Sequence, residues 1–237
     1  MKMTDFKALT FDCYGTLIDW ESGIYEQLAP YFGSIAERDA LLEAFAQYET
    51  AIQQQQPGLR YDQLLAEVFR ALCGHFGQLC QDGAAADFGA SVGKWPAFPD
   101  TAAALQQLRQ HFKLYVLSNV DGESFRKSNE QFGVVFDGVF TAEDIGSYKP
   151  ELRNFQYLKA QLAAAGIAAG EILHTAQSLY HDIQPANAVG LATAWIDRRQ
   201  GLEGSGATSP VDPSGLRIDF HFRSLAEMAA GVEMELI

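Results

Sequence analysis

The chain is short of several things that would mark out a special class of protein. It has three cysteines, Cys13, Cys73 and Cys80, whose spacing fits neither a disulfide framework nor a metal site. Cys73 and Cys80 lie seven apart in an apparent helix and are expected to face one core. No stretch approaches the ~20 apolar residues of a membrane-spanning helix. The first thirteen residues run straight into a strand pattern without a signal-peptide profile, so cytoplasmic residence is the expectation. Basic residues are scarce, 17 Lys and Arg against 30 Asp and Glu, for a formal net charge of −13. That field repels phosphate backbones and anionic lipid, which argues against nucleic acid and membrane as partners. A small anionic substrate stays possible, because exposed charges more than about 10 Å away are largely screened at ~0.1 M salt.

What is present reads as a globular α/β chain of 237 residues, 48% apolar and 20% charged. Phe6 to Asp12 is a short apolar run ending at an acid, followed by Gly15 and Thr16, as in a buried strand entering an active-site loop. From about Ser22 to Cys80 the apolar period becomes helical, with Leu41, Leu42, Phe45, Tyr48 and Ile52 on one stripe and Leu64, Leu65, Val68, Phe69 and Leu72 on the next. Gln53 to Gly58 is expected to fray and end a helix between them. Trp95 to Pro99 reads as a rigid crossing, with Asp100 capping a helix over Thr101 to Gln110.

Strands and helices then alternate. Strands are predicted at Leu114–Leu117, Val139–Phe140, Ile172–Ala176 and Ala192–Ile196. Helices are predicted at Glu123–Phe132, Leu152–Ala165, Ile183–Val189 and Leu225–Ala230. Gly201 to Gly215 reads as a flexible surface excursion. Such alternation requires a mainly parallel sheet, with chemistry outside the C-terminal strand ends. The reading is therefore an α/β, Rossmann-like three-layer core over residues 1–18 and 97–237, interrupted by an inserted helical cap over residues 19–96.

Four signals sit at predicted strand ends: Asp12-Cys13-Tyr14-Gly15-Thr16-Leu17, Ser118-Asn119, Lys149-Pro150, and Gln177 to Asp182. Together they resemble the haloacid dehalogenase-like superfamily, closest to its L-2-haloacid dehalogenase branch. The resemblance implies that Asp12 is a nucleophile forming an aspartyl ester, Lys149 its orienting cation, Ser118 a donor to the bound anion and Asp182 the second acid. Tyr14, Thr16 and Asn119 join them as substrate-binding candidates.

Tyr14 separates the branches. Related phosphatases carry a second aspartate two residues after the nucleophile as general acid, and a tyrosine of ordinary pKa ~10 replaces it poorly. A halide leaving group needs no proton. Gln177 stands where the phosphatases have another metal-binding aspartate, so no cofactor is expected beyond weak Mg²⁺ through Asp12, the Tyr14 carbonyl and Asp182. His174, inside a strand, reads as a hydrogen-bonded core residue, whereas His181 falls either beside the cleft or at a solvent-facing helix start. His75, His111 and His221 form no constellation.

Three positions depart from the dehalogenase pattern. The stretch Leu41 to Gln53 lacks the arginine of the first cap helix, leaving Arg60 as the cap cation that could reach the cleft. Phe155 stands for a tyrosine, and Gln177 and Leu179 for a serine and an asparagine. The expected reaction is hydrolytic dehalogenation of a short 2-haloacid, a small haloalkanoate anion, to a 2-hydroxy acid with inversion. The rival expectations are a metal-dependent phosphatase with an eroded site and an inactive protein that binds small carboxylates. A homodimer is compatible with the apolar cap helices.

Overall fold

The computed structural model describes residues 1–202 and 206–237. In chain order the elements are β1 (Ala8–Phe11), α1 (Trp20–Phe32), α2 (Arg38–Gln55), α3 (Tyr61–Phe76), α4 (Asp82–Gly89), α5 (Thr101–Leu108), β2 (Lys113–Ser118), α6 (Gly122–Asn129), β3 (Gly138–Thr141), α7 (Ala142–Ile145), α8 (Leu152–Ala164), β4 (Ile172–Ala176), α9 (Gln184–Ala188), β5 (Ala192–Ile196), β6 (Phe220–Phe222) and α10 (Leu225–Leu236). Each paired strand runs parallel to its neighbour, in the order β3-β2-β1-β4-β5-β6. The chain leaves β1 toward β2 and β3, then crosses back to β4. That reversal opens a crevice at the C-terminal ends of β1, β2 and β4.

Strand periodicity explains the layers. Leu9, Phe11, Leu114 and Val116 join α5, α6 and α10 in one apolar cluster, while Ala8, Tyr115, Leu117 and Ile172 join α8 and α9 in another. Successive side chains point to opposite faces, and helices bury both, which is why these strands read as unbroken apolar runs. Helices α1 to α4 form the cap over the crevice. Their core is aromatic: Phe32 and Phe69 lie 5.5 Å apart, and Phe45 and Phe88 6.2 Å apart. Gly23 lets α1 lie directly on Trp95, since a β-carbon there would sit 2.3 Å from the indole.

Several elements differ from their sequence reading. The glutamine run extends α2 through Gln55, and Gln53 is buried rather than frayed. Helix α6 stops at Asn129 because Gln131 and Phe132 turn back to carbonyls only three residues earlier. The helix expected from Ile183 begins earlier, as a π-helical turn over Leu179–Ile183. Asp100 does not cap α5 with its side chain. Its carboxylate accepts from Arg198 at 2.9 and 3.0 Å and from the Ala226 N–H at 3.1 Å. Cys80 lies beyond the end of α3, although it packs against the same apolar cluster as Cys73. Strand β6 was not foreseen, being three residues long between charged neighbours. Part of the predicted flexible excursion, residues 203–205, lies outside the described residues. Beyond it, Ala207 is buried and its N–H donates to Glu21. Among the described residues, no helix is long and apolar enough to cross a membrane.

Candidate active site

The first strand delivers Asp12 to the crevice. Its N–H donates to Thr175 O of β4 at 3.1 Å, carrying the ladder one residue past Phe11. The chain then folds back tightly, with the N–H groups of Leu17 and Ile18 both donating to Cys13 O. Gly15 makes this possible at φ +100°, in the left-handed region that glycine tolerates. The Asp12 carboxylate, 5% exposed, accepts at Oδ2 from Thr16 Oγ1 (2.7 Å) and at Oδ1 from Lys149 Nζ (2.8 Å). The same ammonium donates to Asp182 Oδ1 at 2.7 Å and to Leu117 O at 3.1 Å. Asp182 Oδ1 also meets His174 Nε2 at 2.9 Å, and His174 Nδ1 meets Thr10 Oγ1 at 2.8 Å. A carboxylate only accepts, so Nε2 carries the proton in that contact.

Two buried carboxylates thus share one buried ammonium, and they share it unequally. Burial pushes Asp182 up, but Lys149 and His174 outweigh it and hold the acid below its ordinary range. Burial also dominates at Asp12, and the Asp182 charge adds to it, so Asp12 is raised despite the Lys149 contact. Burial opposes the Lys149 charge, but the two acids prevail and its pKa is raised. Asp12 is therefore the less stabilised anion of the pair.

A cavity of about 30 Å³ lies in front of Asp12, lined by Tyr14, Trp20, Glu49, Tyr61, Lys149 and His181 among others. It has room for about one or two water molecules. Two buried atoms of its lining residues, His181 Nε2 and Asp182 Oδ2, have no hydrogen-bond partner among the described residues; Ser118 Oγ, buried at the end of β2 and outside the cavity lining, has none either. Such orphans are costly unless they meet water or a ligand.

The positions anticipated from sequence take different parts in this geometry. Tyr14 lines the cavity with its ring, and its hydroxyl is tied to Ser128 Oγ at 2.8 Å. Thr16 contacts Asp12 rather than the cavity. Its hydroxyl also accepts the Gln177 N–H at 2.9 Å, making it a positioning group. Asn119 lines the cavity, yet its amide brackets the Lys149 peptide, accepting at 2.7 Å and donating at 3.0 Å. Arg60 does not reach the cleft. It precedes α3 at the surface, held by Asp62 at 2.9 Å and Glu143 at 3.6 Å, because hydrated acids are nearer than the dry cavity. Phe155 packs edge-on against His174 behind the sheet.

Of the two places left open for His181, the structure gives the one beside the cleft, and Glu49 is a cavity residue that escaped the sequence reading. His181 is buried on the wall, fixed by Ser178 Oγ at 3.2 Å, and burial holds it down to about 4, a neutral imidazole near pH 7. Glu49 is 3% exposed and bonded to Tyr61 Oη at 2.7 Å; burial pushes its carboxyl up to about 7. A signal for it did exist. Glu49 follows Phe45 by four residues on the apolar stripe of α2, where an acid breaks the pattern.

Of the groups offered for weak Mg²⁺, Asp12 and Asp182 each give Oδ1 to the Lys149 ammonium, which leaves Asp12 Oδ2 bonded to Thr16 and Asp182 Oδ2 without a partner among the described residues. Gln177 lines neighbouring surface hollows, and its backbone N–H and C=O bind Thr16 and Trp195. No group of three His, Cys, Asp or Glu side chains among the described residues is arranged to share an ion.

A parallel sheet with an Asp–Lys–Asp centre at its topological switch, closed by a helical cap, defines a capped α/β enzyme. The chain belongs to the haloacid dehalogenase-like hydrolase family, whose profile matches residues 6–190. It is 26% identical over 204 residues to haloacetate dehalogenase H-2 of Moraxella sp. (strain B), covering 83% of this chain and 88% of that one. An L-2-haloacid dehalogenase structure superposes with TM-score 0.77 at 24% identity, covering 95% of this chain and 98% of that one. The L-2-haloacid dehalogenase of Xanthobacter autotrophicus gives TM-score 0.77 at 19% identity, covering 96% and 98%. Those two likenesses establish the shared fold.

Proposed function

We propose that this hydrolase dehalogenates a short 2-haloacid through an ester on Asp12. An Asp12 oxygen attacks the carbon bearing halogen, the carbon–halogen bond breaks with its electron pair, and halide leaves. Water then attacks Cγ of the esterified Asp12, and the acyl–oxygen bond breaks. The 2-hydroxy acid departs carrying an oxygen from Asp12, and one proton is released. Displacement happens once at the chiral carbon, so that centre inverts.

The observation that carries this reading is Tyr14. It stands two residues after the nucleophile with its hydroxyl bonded to Ser128, and burial raises its pKa well above the ordinary value. A group so placed gives no proton to an alkoxide, whereas halide leaves without one. Lys149 keeps Asp12 aimed and offsets the charge of the site. The unpartnered Asp182 Oδ2 and His181 Nε2 are the groups available to position the hydrolytic water. The cavity is smaller than a haloacid, so entry requires the cap to move.

Halide release from a panel of 2-haloacids in the presence of chelator tests the proposal. Wild type is expected to turn over and Asp12→Asn not to. Single turnover in H₂¹⁸O is expected to label the protein at Asp12 and leave the first product unlabelled. No halide from any member of the panel, or label entering the first product directly, overturns it.

A further inference from the structure

The cavity's charge balance is hard to reconcile with an anionic substrate unless one wall group is neutral. Asp12 comes from the loop after β1, and Asp182 and His181 from the π-helical turn. Tyr14 and Lys149 face them from the nucleophile loop and the Lys-Pro turn, Glu49 from α2 and Tyr61 from α3. Helix α1 contributes Trp20, which is uncharged, and Tyr148 lies behind Tyr61 with ring centroids 6.4 Å apart. Lys149 is the one cation lining the cavity, and it is already bonded to both aspartates. With Glu49 ionised, a haloacid would be the fourth anion around a single ammonium in a dry space, a severe penalty.

The geometry of Glu49 offers a way out. The Tyr61 hydroxyl donates to Oε1, which leaves Oε2 without a hydrogen-bond partner among the described residues and able to carry a proton. Burial keeps Tyr61 protonated well beyond its ordinary range, so its role as donor persists. Resting on the dehalogenation reading above, we propose that Glu49 is the residue that binds the substrate carboxylate, doing so as the neutral acid with Oε2–H donating to the anion.

A short charge-assisted O–H···O⁻ bond then does the work of a cap cation. Binding becomes proton-linked, since Glu49 is held near neutrality by burial and an adjacent carboxylate pushes it higher still. The substrate class follows as short carboxylates that enter with one proton shared between substrate and cap. Affinity is full below pH 7 and falls about tenfold per pH unit above it.

Calorimetry of propionate binding, a non-reactive carboxylate, tests this without turnover. At pH 8, titration in buffers of different ionisation enthalpy is expected to show uptake of about one proton by wild type and none by Glu49→Gln. The amide keeps a donor, so Glu49→Gln should bind propionate with a flat profile from pH 6 to 9. Tyr61→Phe removes the donation that favours the ionised acid, and its alkaline limb should move to higher pH. Absence of proton uptake by wild type, unchanged uptake in Glu49→Gln, or no propionate binding at pH 6 overturns the assignment. In halide-release assays the loss above pH 7 should appear in KM with kcat flat. A Glu49→Gln variant that loses kcat at every pH while keeping KM would make Glu49 a proton donor to the chemistry and overturn it too. Failure of wild type to release any halide sinks the dehalogenation reading alone, because propionate still reports on Glu49.

Discussion

At the scale of single residues, the site is an arrangement of three buried charges whose balance depends on Lys149. Its Nζ contacts both Asp12 and Asp182 and is 2% exposed, so removing it strands two acids in a dry interior. Lys149→Met is expected to abolish halide release and to cost about 3–5 kcal/mol at pH 7, read by urea unfolding. In that variant the carboxyl pKa values lie above their unfolded values. The deficit should therefore shrink as pH falls toward 4, when protonation removes the stranded charge. A deficit that grows on acidification would mean that the lysine contributes by packing.

Among the elements, the loop after β1 is held by groups far away in sequence. Arg198, just after β5, donates to Thr16 O at 3.0 Å and to Asp100 at 2.9 Å, and Asp100 in turn receives an N–H at the start of α10. Thr16 bonds to Asp12, the proposed nucleophile, so a loosened loop would misaim it. Arg198→Met is expected to lower kcat by up to about 10²-fold with KM little changed, checked by steady-state halide release. The cap has a comparable dependence at Gly23, where a β-carbon would collide with Trp95. Gly23→Ala should destabilise the protein by about 1–3 kcal/mol through overpacking, seen as a lower Tm.

On the scale of the molecule, two buried groups pull stability in opposite directions as pH changes. Glu49 is raised to about 7, so its contribution is full below its unfolded pKa and is lost as pH rises through 7. His181 is lowered to about 4, so the fold disfavours its charged form, and stability rises between pH 4 and the ordinary histidine range. Over the middle of that interval the two largely cancel. Glu49→Gln should expose the histidine limb, and its stability relative to wild type should rise by about 3 kcal/mol between pH 5 and 8. Parallel denaturation series at several pH values check this; a constant difference would show that Glu49 does not titrate in that window.

The sequence by itself determined five of the six strands and the motifs that carry Asp12, Lys149 and Asp182. Alternating apolar runs and helix periods prescribe parallel strands covered on both faces. Asp12, Lys149 and Asp182 stand beside local signatures of turn and strand end that report their own position. Only the tertiary structure decided which other side chains share their space. His174 and Asp182 are eight residues apart, but the ring reaches the acid because the π-helical turn swings Asp182 back over β4. Glu49 sits 37 residues from Asp12 in the chain and meets the cavity because α2 is laid across the crevice. Arg60 carries the cap cation that sequence offered to the cleft, yet α3 begins with that side chain turned to solvent. Local pattern governs backbone state, because hydrogen bonding and burial period act over a few residues. Ionisation and contact inside a cleft depend on the desolvation that distant elements impose together, and a stripe of residue types does not encode which acid will be left dry.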